Sequence, residues 1–115
     1  MTRLETGAAS VPGPFSAERN SDHHGVSLAL YGELDLGSVA ELDRQLDEIE
    51  RTGPLRLVID LSGLRFMDST GLASIVQAQR RAQASGRELV LRRPTSQVRR
   101  LFELTGITGR LTIDD

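Results

Sequence analysis

The run from Leu55 to Leu61, with Val58 and Ile59 at its centre, constrains this chain more than any other stretch. A near-continuous apolar run of this length fits a strand covered on both faces, which calls for a parallel neighbour and helices packed on the sheet. Downstream, Leu72, Ile75, Val76, Gln79 and Ala82 recur at helical spacing, predicting a helix over about Thr70 to Ser85, closed by Gly86. Between strand and helix stands Phe66-Met67-Asp68-Ser69-Thr70-Gly71-Leu72. Asp, Ser and Thr side chains accept hydrogen bonds from the unpaired N–H groups of a first helical turn. The trio therefore reads either as a helix cap or as a hydroxyl displayed at a helix N-terminus.

The rest of the chain supplies the partners this strand requires. Residues 1–14 are rich in Gly, Ala, Ser, Thr and Pro without periodicity and read as a flexible N-terminal tail, leaving residues 15–115 as a single domain. A short first strand starts near Phe15, and Ser21-Asp22-His23-His24-Gly25 reads as a turn. Val26, Leu28, Leu30, Gly32 and Leu34 alternate with Ser27, Ala29 and Tyr31, the period of a strand. Ser38 and Glu41 have the spacing of a capping box, ahead of a stripe of Val39, Leu42, Leu46 and Ile49. Gly53 and Pro54 end that helix. Glu88 to Arg92 is a short strand, Thr95 caps a helix bearing Val98, Leu101, Phe102 and Thr105, and Gly106 stops it. Arg110 to Ile113 makes a last edge strand. Strands alternating with amphipathic helices predict an α/β fold, a mixed β-sheet flanked by those helices.

Composition removes several classes of function. There is no cysteine, hence no disulfide, thiol nucleophile or Cys-ligated metal site. The formal charge is −2, which gives no field favouring nucleic acid. The opening residues lack the apolar core of a signal peptide and no segment is long enough to span a bilayer, so a soluble, cytoplasmic protein is expected. His23 and His24 are adjacent and without further ligands, so no metal is expected there.

Catalytic motifs fail on spacing. Met67 stands where the first glycine of a Gly-x-Ser-x-Gly elbow belongs, and neither histidine offers Ser69 a base. Asp68 and Gly71 are separated by two residues where an Asp-Ser/Thr-Gly protease motif has one, and a lysine-free chain has no Walker loop. Glu33 and Asp35, bracketed by Gly32 and Gly37, read as acids on a solvated turn. No catalytic residue and no cofactor is expected. What remains is a hydroxyl that another protein modifies. Phosphorylation of Ser69 would add about −1.5 to −2 charges and three acceptor oxygens where the helix dipole tolerates an anion. It would change the surface rather than unfold the domain. The expected partner surface is Asp68, Ser69, Thr70, Ala73 and Gln77 on one helical flank, with Glu33 and Asp35 nearby.

Gly32-Glu33-Leu34-Asp35, Leu57 to Leu61, Phe66 to Leu72 and Val98-Arg99-Arg100-Leu101-Phe102-Glu103-Leu104-Thr105-Gly106, in that order and spacing, resemble the STAS-domain anti-sigma factor antagonists of bacteria. The resemblance runs from about residue 15 to 113 and implies a single STAS-like domain working as a non-enzymatic partner switch. In that family the unphosphorylated antagonist binds an anti-sigma factor that is also a serine kinase with a histidine-kinase-like ATPase fold, freeing the sigma factor. The kinase phosphorylates the serine that Ser69 matches, and a metal-dependent serine phosphatase reverses it. Thr70 then falls to helix capping. ATP and magnesium belong to the kinase. Two departures stand out: the long N-terminal tail, and Ser74 where a glycine is common, expected to put a side chain near the docking face. The alternative reading is a STAS module that scaffolds another regulatory protein or binds a small ligand without sigma control.

Overall fold

The computed structural model describes residues 15–115, so the expected tail of residues 1–14 lies outside the described residues. The elements are β1 (Phe15–Asp22), β2 (Gly25–Leu34), α1 (Val39–Thr52), β3 (Arg56–Met67), α2 (Ser69–Ser85), β4 (Glu88–Arg92), α3 (Ser96–Thr105), a 3₁₀ turn (Thr108–Arg110) and β5 (Ile113–Asp114). They form one five-stranded sheet in the order β1-β2-β3-β4-β5. β1 and β2 make an antiparallel hairpin through His23 and His24, and every later pair is parallel, each crossover carrying one helix. The sheet is mixed, as the pattern of the sequence requires.

The core forms on one face of this sheet. Leu28, Leu30 and Leu34 of β2, Leu57, Ile59 and Leu61 of β3, and Leu89 and Leu91 of β4 meet residues from all three helices in a single cluster. α1 contributes Leu42, Leu46 and Ile49, α2 contributes Leu72, Ile75, Ala78 and Ala82, and α3 contributes Val98 and Phe102. With few aromatics, the interior is filled by aliphatic side chains whose burial stabilises by about 25 cal/mol per Å² removed from water. All three helices stop at a glycine in the left-handed region, Gly53, Gly86 and Gly106, as the punctuation of the sequence indicates.

Three expectations need correction. The sheet is not covered by helices on both faces: Ser27, Ala29 and Tyr31 of β2 align with Val58 and Asp60 of β3 and Val90 and Arg92 of β4 on the side away from the core. Val58 and Val90 are buried there beneath neighbouring side chains, which is why the run looked uniformly internal. Asp60 was the telling residue, a carboxylate in mid-strand that pairs with Arg93 at 2.5 Å on the open side. Second, β3 does not stop near Leu61 but continues to Met67, through two irregularities in its pairing with β2, one between Asp60 and Gly63 and one between Leu64 and Phe66. Third, the chain ends in the 3₁₀ turn Thr108–Arg110 and a two-residue strand, Ile113–Asp114, rather than a strand from Arg110.

Candidate functional site

β3 delivers its last residue, Met67, into the core, and the chain turns at once into α2. Asp68 is the N-cap: its backbone is extended, and its Oδ1 accepts from the Gly71 N–H at 3.0 Å. Asp68 therefore carries the capping that the sequence assigned to Thr70. Its own N–H donates to the Leu34 carbonyl at 3.1 Å, tying the start of α2 to the end of β2. Gly71 makes the approach possible. A Cβ at that position would lie 2.7 Å from Leu34 Cγ and 2.9 Å from Leu34 Cδ2, too close without a shift, and tight against Leu34 O at 3.0 Å.

Ser69 is the first residue of α2 and is exposed, while Thr70 is half-buried. Their N–H groups belong to the first helical turn and have no intrahelical acceptor. The Ser69 hydroxyl thus sits on a fixed backbone, with free donors and the positive end of the helix dipole beneath it. From Ser69, exposed residues recur at Ala73 and Gln77, every fourth position along one flank. Gln77 lies about 12 Å along the axis from Ser69. There it borders a groove shared with Asp43, Asp47, Glu50 and Arg81 of the α1–α2 seam.

The loop after β2 borders the same end of α2, because Leu34 stands between Glu33 and Asp35 in the chain. Its acids are less free than a solvated turn would leave them. Asp35 Oδ1 accepts from the Gly37 N–H at 3.0 Å, and the Asp35 carbonyl accepts from Ser38 and Val39 N–H at 3.0 and 2.9 Å. Asp35 builds the loop. Glu33, opposite Phe66 in the sheet, has Arg65 at 3.8 Å and stays at the surface. Ser38 does not form the expected capping box. Its hydroxyl accepts from the Asp35 N–H at 3.0 Å and donates to the Glu33 carbonyl at 2.9 Å, and Glu41 bonds Arg44 and Gln45 instead. The hydroxyl is consumed in closing the loop.

Ser74 also departs from expectation. It is only 7% exposed, points toward α1 and donates to Asp43 Oδ1, so it joins two helices rather than altering a docking face. Sequence reasoning missed two residues altogether. Leu36, at the tip of the β2–α1 loop, is 76% exposed, and Phe66, just before Met67 on β3, is 48% exposed. An apolar residue inside a turn otherwise built from Glu33, Asp35, Gly37 and Ser38 was the available signal for Leu36. Phe66 carried none, because only the irregular end of β3 decides which way it faces. Together these residues give the Ser69 end of the molecule exposed apolar groups, an acidic rim and a displayed hydroxyl. Among the described residues no three metal-binding side chains cluster, and no helix is long and apolar enough to cross a membrane.

Comparison with known proteins agrees with this geometry. The family described as "Mlab, STAS domain" matches residues 17–113. An anti-sigma-B factor antagonist of Listeria monocytogenes is 33% identical over 96 residues, 84% of this chain and 82% of that protein. One from Staphylococcus aureus is 30% identical over 84 residues, 73% of this chain and 78% of that protein. Among solved structures, an anti-sigma factor antagonist from Mycobacterium paratuberculosis matches with a TM-score of 0.81 at 21% identity, covering 91% of this chain and 89% of that one. The antagonist SpoIIAA in its unphosphorylated form matches with a TM-score of 0.72 at 22% identity, covering 85% of this chain and 87% of that one. These structures share the fold.

Proposed function

The chain belongs to the STAS domain family, with anti-sigma factor antagonists among its relatives, and from that premise we propose that it is itself an anti-sigma factor antagonist switched at Ser69. In its unphosphorylated form it binds an anti-sigma factor with serine kinase activity and thereby releases the sigma factor. The kinase phosphorylates Ser69, the complex dissociates, and a metal-dependent serine phosphatase restores the binding form. The protein acts by binding and performs no catalysis of its own.

One observation carries this reading: Ser69 is exposed at the first position of α2 while Asp68, not Ser69, caps the helix. The hydroxyl is structurally idle and can be modified without dismantling the turn that presents it. Phosphate there adds charge beside Asp68 and Glu33 and bulk beside Leu36 and Phe66, the groups a partner would cover. Asp68, Ser69, Thr70, Ala73, Gln77, Glu33 and Asp35 make up the proposed docking surface, Asp35 by shaping its loop.

The test uses the cognate kinase and ATP. Wild type and Thr70→Ala should each take up one phosphate, and Ser69→Ala none. Labelling that persists unchanged in Ser69→Ala would sink the assignment. Ser69→Asp should bind the unlabelled kinase at least about tenfold more weakly than wild type. Equal affinity would argue against a charge-controlled interface.

A further inference from the structure

Two large apolar side chains, Leu36 and Phe66, are held out in solvent at the Ser69 end of the sheet. The loop that carries Leu36 is closed by its own hydrogen bonds. The Ser38 hydroxyl accepts from the Asp35 N–H and donates to the Glu33 carbonyl, while Asp35 accepts from the N–H groups of Gly37, Ser38 and Val39. Phe66 is paired with Glu33 in the sheet, between that loop and the start of α2. Paired Cα atoms lie about 5 Å apart and three residues reach at most about 11 Å, so Leu36 and Phe66 are within about 16 Å of each other. A standard interface covers about 800 Å² a side, a patch about 28 Å across, enough to take in both residues and Ser69. A single exposed leucine means little by itself. Leu55, 81% exposed just before β3 begins, is such a residue, at the opposite end of the sheet.

We infer that Leu36 and Phe66 are the anchors of the complex, each entering an apolar pocket of the anti-sigma factor, while Ser69 supplies the switch and little of the affinity. The inference rests on the partner-binding reading above and assigns its binding energy to two residues outside α2. A loop already fixed by its own hydrogen bonds loses little entropy on docking, so burial of Leu36 is returned largely as affinity. An apolar partner surface also explains why phosphate at Ser69 would break the complex. A dianion brought to the edge of a dry contact must shed water without gaining a partner, and that cost opposes docking while both anchors stay unchanged.

The experiment is calorimetric titration of the full chain with the cognate anti-sigma factor kinase, in low and in high salt. Leu36→Ser and Phe66→Thr should each bind at least about tenfold more weakly than wild type, by the same factor at both salt concentrations. Leu36→Met and the control Leu55→Ser should stay within about threefold of wild type. With ATP present, the initial rate of Ser69 labelling at low protein concentration should fall in step with affinity, while final uptake stays at one phosphate. If Phe66→Thr melts early, Leu36→Ser decides the matter, because that side chain lies largely in solvent. The inference is overturned if Leu36→Ser loses less than about tenfold, if Leu36→Met or Leu55→Ser loses as much, or if the loss vanishes in high salt. Wild type that neither binds nor takes up phosphate would bring down the switch itself, and the anchors with it.

Discussion

At the scale of single residues, the start of α2 divides its duties between neighbours that look interchangeable in the sequence. Asp68 bonds the Gly71 N–H, Ser69 is left displayed, and Gly71 clears the way for Leu34. Removing the cap should cost about 1 kcal/mol, so urea denaturation of Asp68→Ala should show a lower midpoint, with Asp68→Asn close to wild type. Gly71→Ala should be worse, by about 1–3 kcal/mol, because its methyl meets Leu34 backbone as well as side chain and neither helix nor strand can retreat alone. If Gly71→Ala were as stable as wild type, the tight seam between β2 and α2 would be wrong. Asp60 gives a residue-scale prediction with a pH sign. Burial alone would raise its pKa, but hydrogen bonds from the Ser62 N–H and hydroxyl and from Arg93 outweigh it and hold the carboxyl below its usual value. A depressed carboxylate stabilises the fold above its unfolded-state pKa, about 4, and that contribution disappears as pH falls through the lower folded value. Asp60→Asn should therefore be less stable than wild type near pH 6, and the gap should close below about pH 3 in parallel urea titrations.

At the scale of elements, periodicity carried most of the fold. Alternation in Val26 to Leu34 marked β2, and the stripes of α1, α2 and α3 bury Leu42, Leu46, Ile49, Leu72, Ile75, Ala82, Val98 and Phe102, while Val39, Val76 and Leu101 are half-buried and Thr105 is exposed. What stayed hidden is what depends on a neighbouring element. Ser38 and Glu41 have capping-box spacing, yet the loop from Glu33 takes the hydroxyl first. Val58 looks like core, yet it sits on the open face and is shielded by its surroundings. The exposure of Leu36 and Phe66 at the candidate site depends on a loop and a strand irregularity that leave no period to read. The α1–α2 seam was illegible for the same reason. Ser74 donates to Asp43, and Arg81 grips both oxygens of Glu50 at 2.9 to 3.1 Å. Since Ser74 is buried, Ser74→Ala should lose about 0.5–1.5 kcal/mol. A double-mutant cycle with Asp43→Ala should recover a coupling of similar size, and a coupling near zero would remove this contact from the account.

At the scale of the whole molecule, the sheet keeps all three helices on one face, and the displayed hydroxyl sits where the second crossover begins. A switch in that position can act in one of two ways, by rearranging the fold or by changing only its surface. The packing favours the second. Ser69 contributes nothing to the core cluster, Asp68 holds the helix start without it, and Leu34, Met67 and Leu72 anchor the surrounding backbone from below. The dipole and free N–H groups of α2 favour a phosphate by about 0.3–1 kcal/mol, while the nearby Asp68 carboxylate opposes it by a comparable amount. The net change in stability should thus be within about 0.5 kcal/mol, or a few degrees in Tm for a domain of this size. Phosphorylated and unphosphorylated protein should melt at nearly the same temperature, with amide shift changes confined to the Glu33–Ser38 loop and the first two turns of α2. A large drop in Tm, or shift changes spread through the β-sheet, would mean that phosphate works by loosening the domain. The partner would then be released by losing its docking site's shape instead of by meeting a new charge.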